Sequence, residues 1–254
     1  MVNKYSYKQE IIQVNPYLIA IVLFIVLSYS VYLFLDDSTV ANLGKEDHFF
    51  EYLTASLFLA TSLIFLLLYL QKRKLTLAIF TLAMFVGAGE EISWGQRILN
   101  FETPEKLKTV NVQNEFNLHN IYIFNGTDLE DNMKQGLDRM LQIDFLFRIF
   151  ILVFGIALPI GVYHFAPISE LAQKLKIPVP PVTIGIFFLV NWLTFRILLS
   201  YILPTGKDYQ YYDTIAELFE CGSSYILFIV AIYFLRNRRQ DFLGFDIKQL
   251  VSKT

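Results

Sequence analysis

Six stretches of about 20 mostly apolar residues, at 17–35, 49–70, 75–96, 144–165, 181–203 and 213–235, leave this chain few ways to fold. A hydrocarbon layer of about 30 Å is crossed by about 20 helical residues. Lipid does not tolerate unpaired backbone N–H and C=O groups, so only helices and closed barrels cross it. The runs carry leucine and phenylalanine all round and lack the period-two alternation of barrel strands, which predicts helices. The expected fold is all-α: a polytopic bundle of about six transmembrane helices, one integral-membrane domain over 1–254. A long outer loop, 97–143, is expected to carry short or amphipathic helices. Composition agrees, since only 17% of the 254 residues are charged against roughly 25% in a soluble domain.

The first run follows Lys4 and Lys8 but is too long for a secretory h-region, and acids rather than small residues follow it, so it reads as an uncleaved span. Basic residues are retained on the cytoplasmic side. Lys4 and Lys8, the Lys72–Arg73–Lys74 cluster, Lys174 with Lys176, and Arg236, Arg238 and Arg239 all fall on one side of six spans. Asp36, Asp37, Glu46, Asp47 and Asp208 fall on the other, beside Lys45 and Lys207. Both termini are therefore expected in the cytoplasm. A net charge of −2 without a basic stripe argues against a nucleic-acid partner. The single cysteine, Cys221, lies in an apolar run and reads as a packing residue.

Inside the long loop, Thr103-Pro104-Glu105 has the form of a helix start. Asn125-Gly126 marks a turn, and Leu129, Met133, Leu137, Met140 and Leu141 recur at helical spacing, predicting an amphipathic helix.

The polar residues within the runs carry the functional argument. With alternating span directions, Glu51, Glu90, Glu91, Arg148, Asn191, Arg196, Glu217 and Glu220 all fall in the outer half of the bilayer. Intramembrane charges are costly unless paired, and six independent helices have no reason to place them at one depth without a common site. Extrapolated helical phase puts Glu90, Ser93, Trp94 and Arg97 on one face and Glu91 about 100° away. Glu217, Glu220 and Ser224 share another face, and His48 lies three residues before Glu51. Above them "NVQNEFNLHN" (111–120), rich in amides, is expected to dock as a lid.

Two chemistries fit this pattern. Crowded carboxylates in a poorly solvated site separate into one acid and one base, assigning Glu90, Glu91, Glu51 and Glu220 as catalytic candidates. Trp94, Arg97, Arg196, Gln113 and Asn120 then form the substrate wall, the arginines suiting a phosphate or carboxylate. Alternatively, Glu91, Glu115, His119 and Glu217 hold a divalent zinc, manganese or iron ion, Glu115 and His119 being four residues apart as on one helical face. The Glu-x-x-His pairs of di-iron bundles are not present. Either chemistry would act on a membrane lipid or lipid-linked substrate. A proton- or cation-coupled carrier, its helices loosened at Pro159, Gly185 and Gly87–Gly89, is the competing class. A scaffold with a structural network, in which Arg97, Arg148 and Arg196 neutralise the acids, is a third.

The segments "EDHFFEYLTA", "GEEISWGQRI", "FETPE" and "NVQNEFNLHN", covering residues 46–120, resemble a set of bacterial multi-pass membrane proteins without an assigned activity. The resemblance implies a bacterial inner-membrane location and no residue roles.

Overall fold

The chain is an all-helical multi-pass membrane bundle. Its computed structural model describes residues 5–237 apart from 46–47, 131, 204–205 and 208. Among these residues there is no strand, only two isolated bridges, Asn111 with Ile121 and Thr127 with Met133. Five helical stretches are long and apolar enough to cross a bilayer, and a sixth if one bent pair counts as a single span.

The first span joins α1 (Tyr5–Tyr29) to the short α2 (Val31–Phe34). A short helix, α3 (Asp37–Leu43), precedes the antiparallel pair α4 (Phe49–Lys72) and α5 (Leu75–Glu91), turned at Arg73 in a left-handed conformation. Two one-turn helices follow, α6 (Gln96–Leu99) and α7 (Glu105–Lys108). The fourth span is α8 (Ile143–Ile151) and α9 (Leu158–His164), joined by a π-helical stretch at Leu152–Ala157. After α10 (Ala166–Leu175) come α11 (Val182–Ile197), extended by a second π-helical stretch at Leu198–Ile202, and α12 (Tyr209–Arg236).

The last helix is the centre of the bundle. The Gln210–Arg236 stretch is 72% buried, against 28% to 44% for the other continuous spans, and its Leu218, Phe219, Cys221, Ile226, Leu227 and Val230 are all within the core. Lipid tails are as apolar as leucine, so helix association in a bilayer relies on close packing and buried polar bonds. Asn191 of α11 supplies such a bond set: it accepts from Tyr29 Oη (3.1 Å) and donates to the Phe219 carbonyl (2.8 Å) and Ser223 Oγ (3.1 Å). It ties α1, α11 and α12 at one point.

The expected boundaries need three corrections. The third span does not run to 96: α5 ends at Glu91, and the chain bends by 70° into Ser93–Leu99. The helix start at Thr103-Pro104-Glu105 is real but lasts one turn, and Thr103 does not cap it. Among the described residues of 129–137 there is no helix; Asp128 instead accepts the backbone amides of Glu130 (2.8 Å) and Asn132 (3.0 Å), in a turn that the Thr127–Met133 bridge closes. Only Asp138–Leu141 is helical there, as one 3₁₀ turn. Of the charges behind the predicted orientation, Lys4, Glu46, Asp47, Asp208, Arg238 and Arg239 lie outside the described residues.

Asp36 caps α3, accepting from Thr39 N (3.0 Å), Thr39 Oγ1 (2.7 Å) and Ser38 Oγ (2.5 Å). These bonds favour the ionised form and hold its carboxyl below the usual carboxylate range. A depressed folded-state pKa stabilises the cap above the unfolded value of about 3.9 and loses that contribution as pH falls through the lower folded value. Hydrogen-exchange protection of the Thr39 amide is therefore expected to persist from neutrality to about pH 4 and to collapse only at stronger acidity. In Asp36→Asn the acid-dependent step should vanish; a wild-type step at ordinary carboxylate pH would contradict the cap.

Candidate functional site

The site begins where α5 breaks. Ser93 (φ 45°), Trp94 (φ 54°) and Gly95 (φ 76°) are consecutive left-handed residues, so a helix cannot continue through them. For the two non-glycine residues this conformation costs roughly 1–2 kcal/mol each. The Trp94 indole offsets it by folding back on α5, edge-on to Phe85 at 5.9 Å and donating Nε1 to Glu90 Oε1 at 2.7 Å. Gly89 makes room for that ring: a Cβ there would lie 2.9 Å from indole carbons.

The two adjacent glutamates then diverge. Glu90 binds the long connection, its Oε2 accepting the consecutive backbone amides of Leu118 (2.6 Å) and His119 (2.9 Å), with His119 Nδ1 3.6 Å away. Glu115 is the second anchor. Its carboxylate accepts from Ser93 Oγ (2.8 Å), Asn117 Nδ2 (2.7 Å) and Asn120 Nδ2 (3.2 Å) and pairs with Arg97 Nη2. Gln96 adds a third, accepting from Phe116 N (2.6 Å) and donating to Thr103 Oγ1 (2.8 Å). The segment is folded on itself by Asn111, whose Oδ1 accepts the amides of Gln113 (3.0 Å) and Glu115 (3.1 Å). Asn111, Glu115, Asn117 and Asn120 are buried, and such a network is rigid when its members are satisfied.

Glu91 meets the bundle instead. Its charged neighbours are Glu220 and Glu217 of α12, Glu51 of α4 and Asp144 of α8. Glu51, Asp144 and Asp213 are charged neighbours of both Glu217 and Glu220, and Arg148 is one of Glu220. Four helices thus carry carboxylates within electrostatic range of one another. Glu51, Glu91, Glu217 and Glu220 are each partly buried. The Arg148 guanidinium lies over the rings of Phe195 (5.6 Å) and Phe219 (5.9 Å), and its buried Nε has no acceptor among the described residues.

Measured against expectation, Glu51, Glu91, Glu217 and Glu220 come together, while Glu90 joins the clamp. Trp94 and Arg97 do lie beside Glu90 and Glu115, but through the broken backbone and not along one helical face. Gln113 and Asn120 bond to each other within the folded segment. Arg196 is exposed. Residues 111–120 are a looped turn and not a helix, so the four-residue spacing of Glu115 and His119 does not align them. They face different partners, Arg97 and Glu90, and among the described residues no three His, Cys, Asp or Glu side chains are arranged to hold one metal ion. Asp144 is the addition, beside the Arg148 already expected at this depth. Their i,i+4 spacing just inside a span was the available signal.

With this geometry in hand, comparison of the chain with protein-family models, with curated proteins and with solved structures finds no match.

Proposed function

We propose that this membrane protein is an enzyme whose acidic cluster lines a chamber within the bundle and performs carboxylate acid/base chemistry on a lipid or lipid-linked substrate. The observation that carries the reading is the division of labour between adjacent glutamates: Glu90 is committed to the connection, while Glu91 joins Glu51, Asp144, Glu217 and Glu220. The Arg148 guanidinium is among the charged neighbours of Glu220. Carboxylates crowded in a poorly solvated place favour the uptake of protons or of a cation. With protons, one carboxyl donates to the leaving oxygen while a second, ionised, takes the proton of the attacking hydroxyl or water. Glu91 paired with Glu220 is the assignment we favour, with Arg148 orienting the substrate.

The connection supports catalysis over transport. It is clamped at Glu90 and Glu115, and the amide of Ile143, next to Asp144, donates to the Phe124 carbonyl at 3.0 Å. A fixed cap suits a preorganised site, whereas a carrier needs elements that alternate. The observation favouring a proton- or cation-coupled carrier is the pair of π-helical stretches, 152–157 and 198–202, a feature frequent at functional sites.

Lipid extracts from cells producing the wild type, Glu91→Gln or Glu220→Gln test the reading by mass spectrometry, with melting curves to confirm that each variant folds. A mass specific to the wild type should fall about 100-fold or more in both variants. Identical profiles from folded proteins would overturn the enzyme. Solute uptake driven by an ion gradient in vesicles, lost in Glu91→Gln, would reassign the same acids to a carrier.

A further inference from the structure

The long connection leaves large apolar side chains uncovered where a water-facing loop would carry polar ones. Met133 is 77% exposed and Leu137 78%, and Ile98 and Leu99 are 65% and 72% exposed. These values match those of Leu75 (75%) and Leu82 (62%) on α5, a helix apolar enough to lie in a membrane. Soluble surfaces avoid apolar patches of this kind unless something covers them.

We propose that the loop segment 132–141, which runs on from the Thr127–Met133 hairpin bridge, and the Ile98–Leu99 turn are held in the headgroup–acyl boundary of the leaflet at their end of the bundle, so that lipid is what covers them. Continuity with the spans is the first argument. Ile98 and Leu99 follow α5 directly after its 70° bend. Leu141 lies two residues before Ile143, the first residue of a membrane-crossing stretch whose Ile143 and Leu146 are themselves exposed. The hairpin is tethered at that height, since Lys134 N donates to the Gly126 carbonyl (3.1 Å) and Gln142 Nε2 reaches the same oxygen (3.4 Å).

Charge pattern is the second argument. Glu130, Lys134, Asp138 and Arg139 interrupt the apolar residues at short intervals, a mixture suited to the zwitterionic headgroup layer and ill suited to a dry interface with a second copy. Backbone bonding sets the depth. The hairpin is irregular, and irregular backbone exposed to lipid is excluded from the hydrocarbon core, where carbonyls and amides need internal partners. Insertion is therefore shallow, within roughly 5–10 Å of the headgroup boundary. This placement is independent of the enzyme reading and holds equally for a carrier.

Nitroxide labels on Met133→Cys and Leu137→Cys test it in vesicles of phosphatidylcholine and phosphatidylglycerol. Glu102→Cys serves as a polar-loop reference and Leu82→Cys as a span reference. Both hairpin positions are exposed, so labelling leaves the packing intact, and Cys221 is enclosed in the core, its residual labelling being read from the wild type. Power saturation with oxygen and a water-soluble nickel chelate should give an oxygen-to-nickel accessibility ratio at both positions several-fold above that at Glu102 and below that at Leu82. A ratio equal to that at Glu102 would place the hairpin in water and overturn the proposal. Exclusion of both relaxants would overturn it too, and would mean that protein, a second copy or another chain, covers the patch.

Discussion

Gly185→Ala should cost the bundle about 3 kcal/mol, the upper end of ordinary overpacking, and lower its melting temperature by about 6–12 °C. Gly185 is where α11 crosses the π-helical stretch of the fourth span, and a Cβ built there collides with the Gly155 carbonyl oxygen. That atom belongs to the backbone and cannot turn aside like the end of a side chain. The reverse substitution fares no better, since a Cβ on Gly155 collides with the ring of Phe188, a fully buried core residue. Close approach of backbones is a main source of helix association in lipid, so the loss falls on a contact that little else replaces. Gly87→Ala is the control: its Cβ would meet Phe58 at 3.4 Å, ordinary contact distance, and alanine favours the helix by roughly 1 kcal/mol. Thermal melts in detergent compare the three proteins, and a Gly185→Ala curve superimposed on the wild type would mean that the crossing is looser than described. The glycine therefore acts through close packing, where the carrier reading expected it to loosen the helix.

Removal of the Glu115 carboxylate is expected to free the connection while leaving the bundle folded. Glu115→Ala strips an acceptor from Ser93, Asn117 and Asn120, all buried, and the ion partner from Arg97. Orphaned buried donors cost roughly 1–3 kcal/mol each, whereas Arg97, half exposed, recovers much of its loss in water. Asn117 Nδ2 still reaches Ser93 Oγ (3.0 Å) and Asn120 Nδ2 still reaches Gln113, so a local destabilisation of about 2–4 kcal/mol follows. Hydrogen-exchange mass spectrometry should show the amides of Leu118 and His119 exchanging about 30- to 1,000-fold faster, since every 1.4 kcal/mol is a factor of ten. The core of α12 should be unaffected. Glu115→Gln, which keeps one acceptor oxygen, should lie between. Unchanged exchange at 115–120 would show that Glu90 alone holds the segment.

Much of this molecule was legible before any tertiary contact was known. Apolar runs of bilayer length dictate membrane-crossing helices, because lipid offers the backbone no other partners. That Glu51, Glu91, Glu217 and Glu220 lie near the ends of their helices was legible too, from their positions in the apolar runs. Rotational phase was not. It places Arg148 against Phe195 and Phe219 but leaves Arg196 exposed, and it is set by how α11 seats on its neighbours.

Helical spacing misled where polar side chains rewrote the backbone. Leu129, Met133 and Leu137 are spaced as on a helix, yet Asp128 turns the chain by accepting two amides, a local competition that short polar residues win. Likewise Glu115 and His119 lie on a segment folded by Asn111. By itself the sequence determined the helices, their approximate ends and the shared level of the acids. Only the tertiary structure decided that Glu90 serves the connection and Glu91 the bundle. Their 100° separation is a property of any helix, but which direction faces the connection depends on the left-handed break at Ser93–Gly95, sustained by Trp94 folding back and by carboxylates accepting from residues more than 20 positions away.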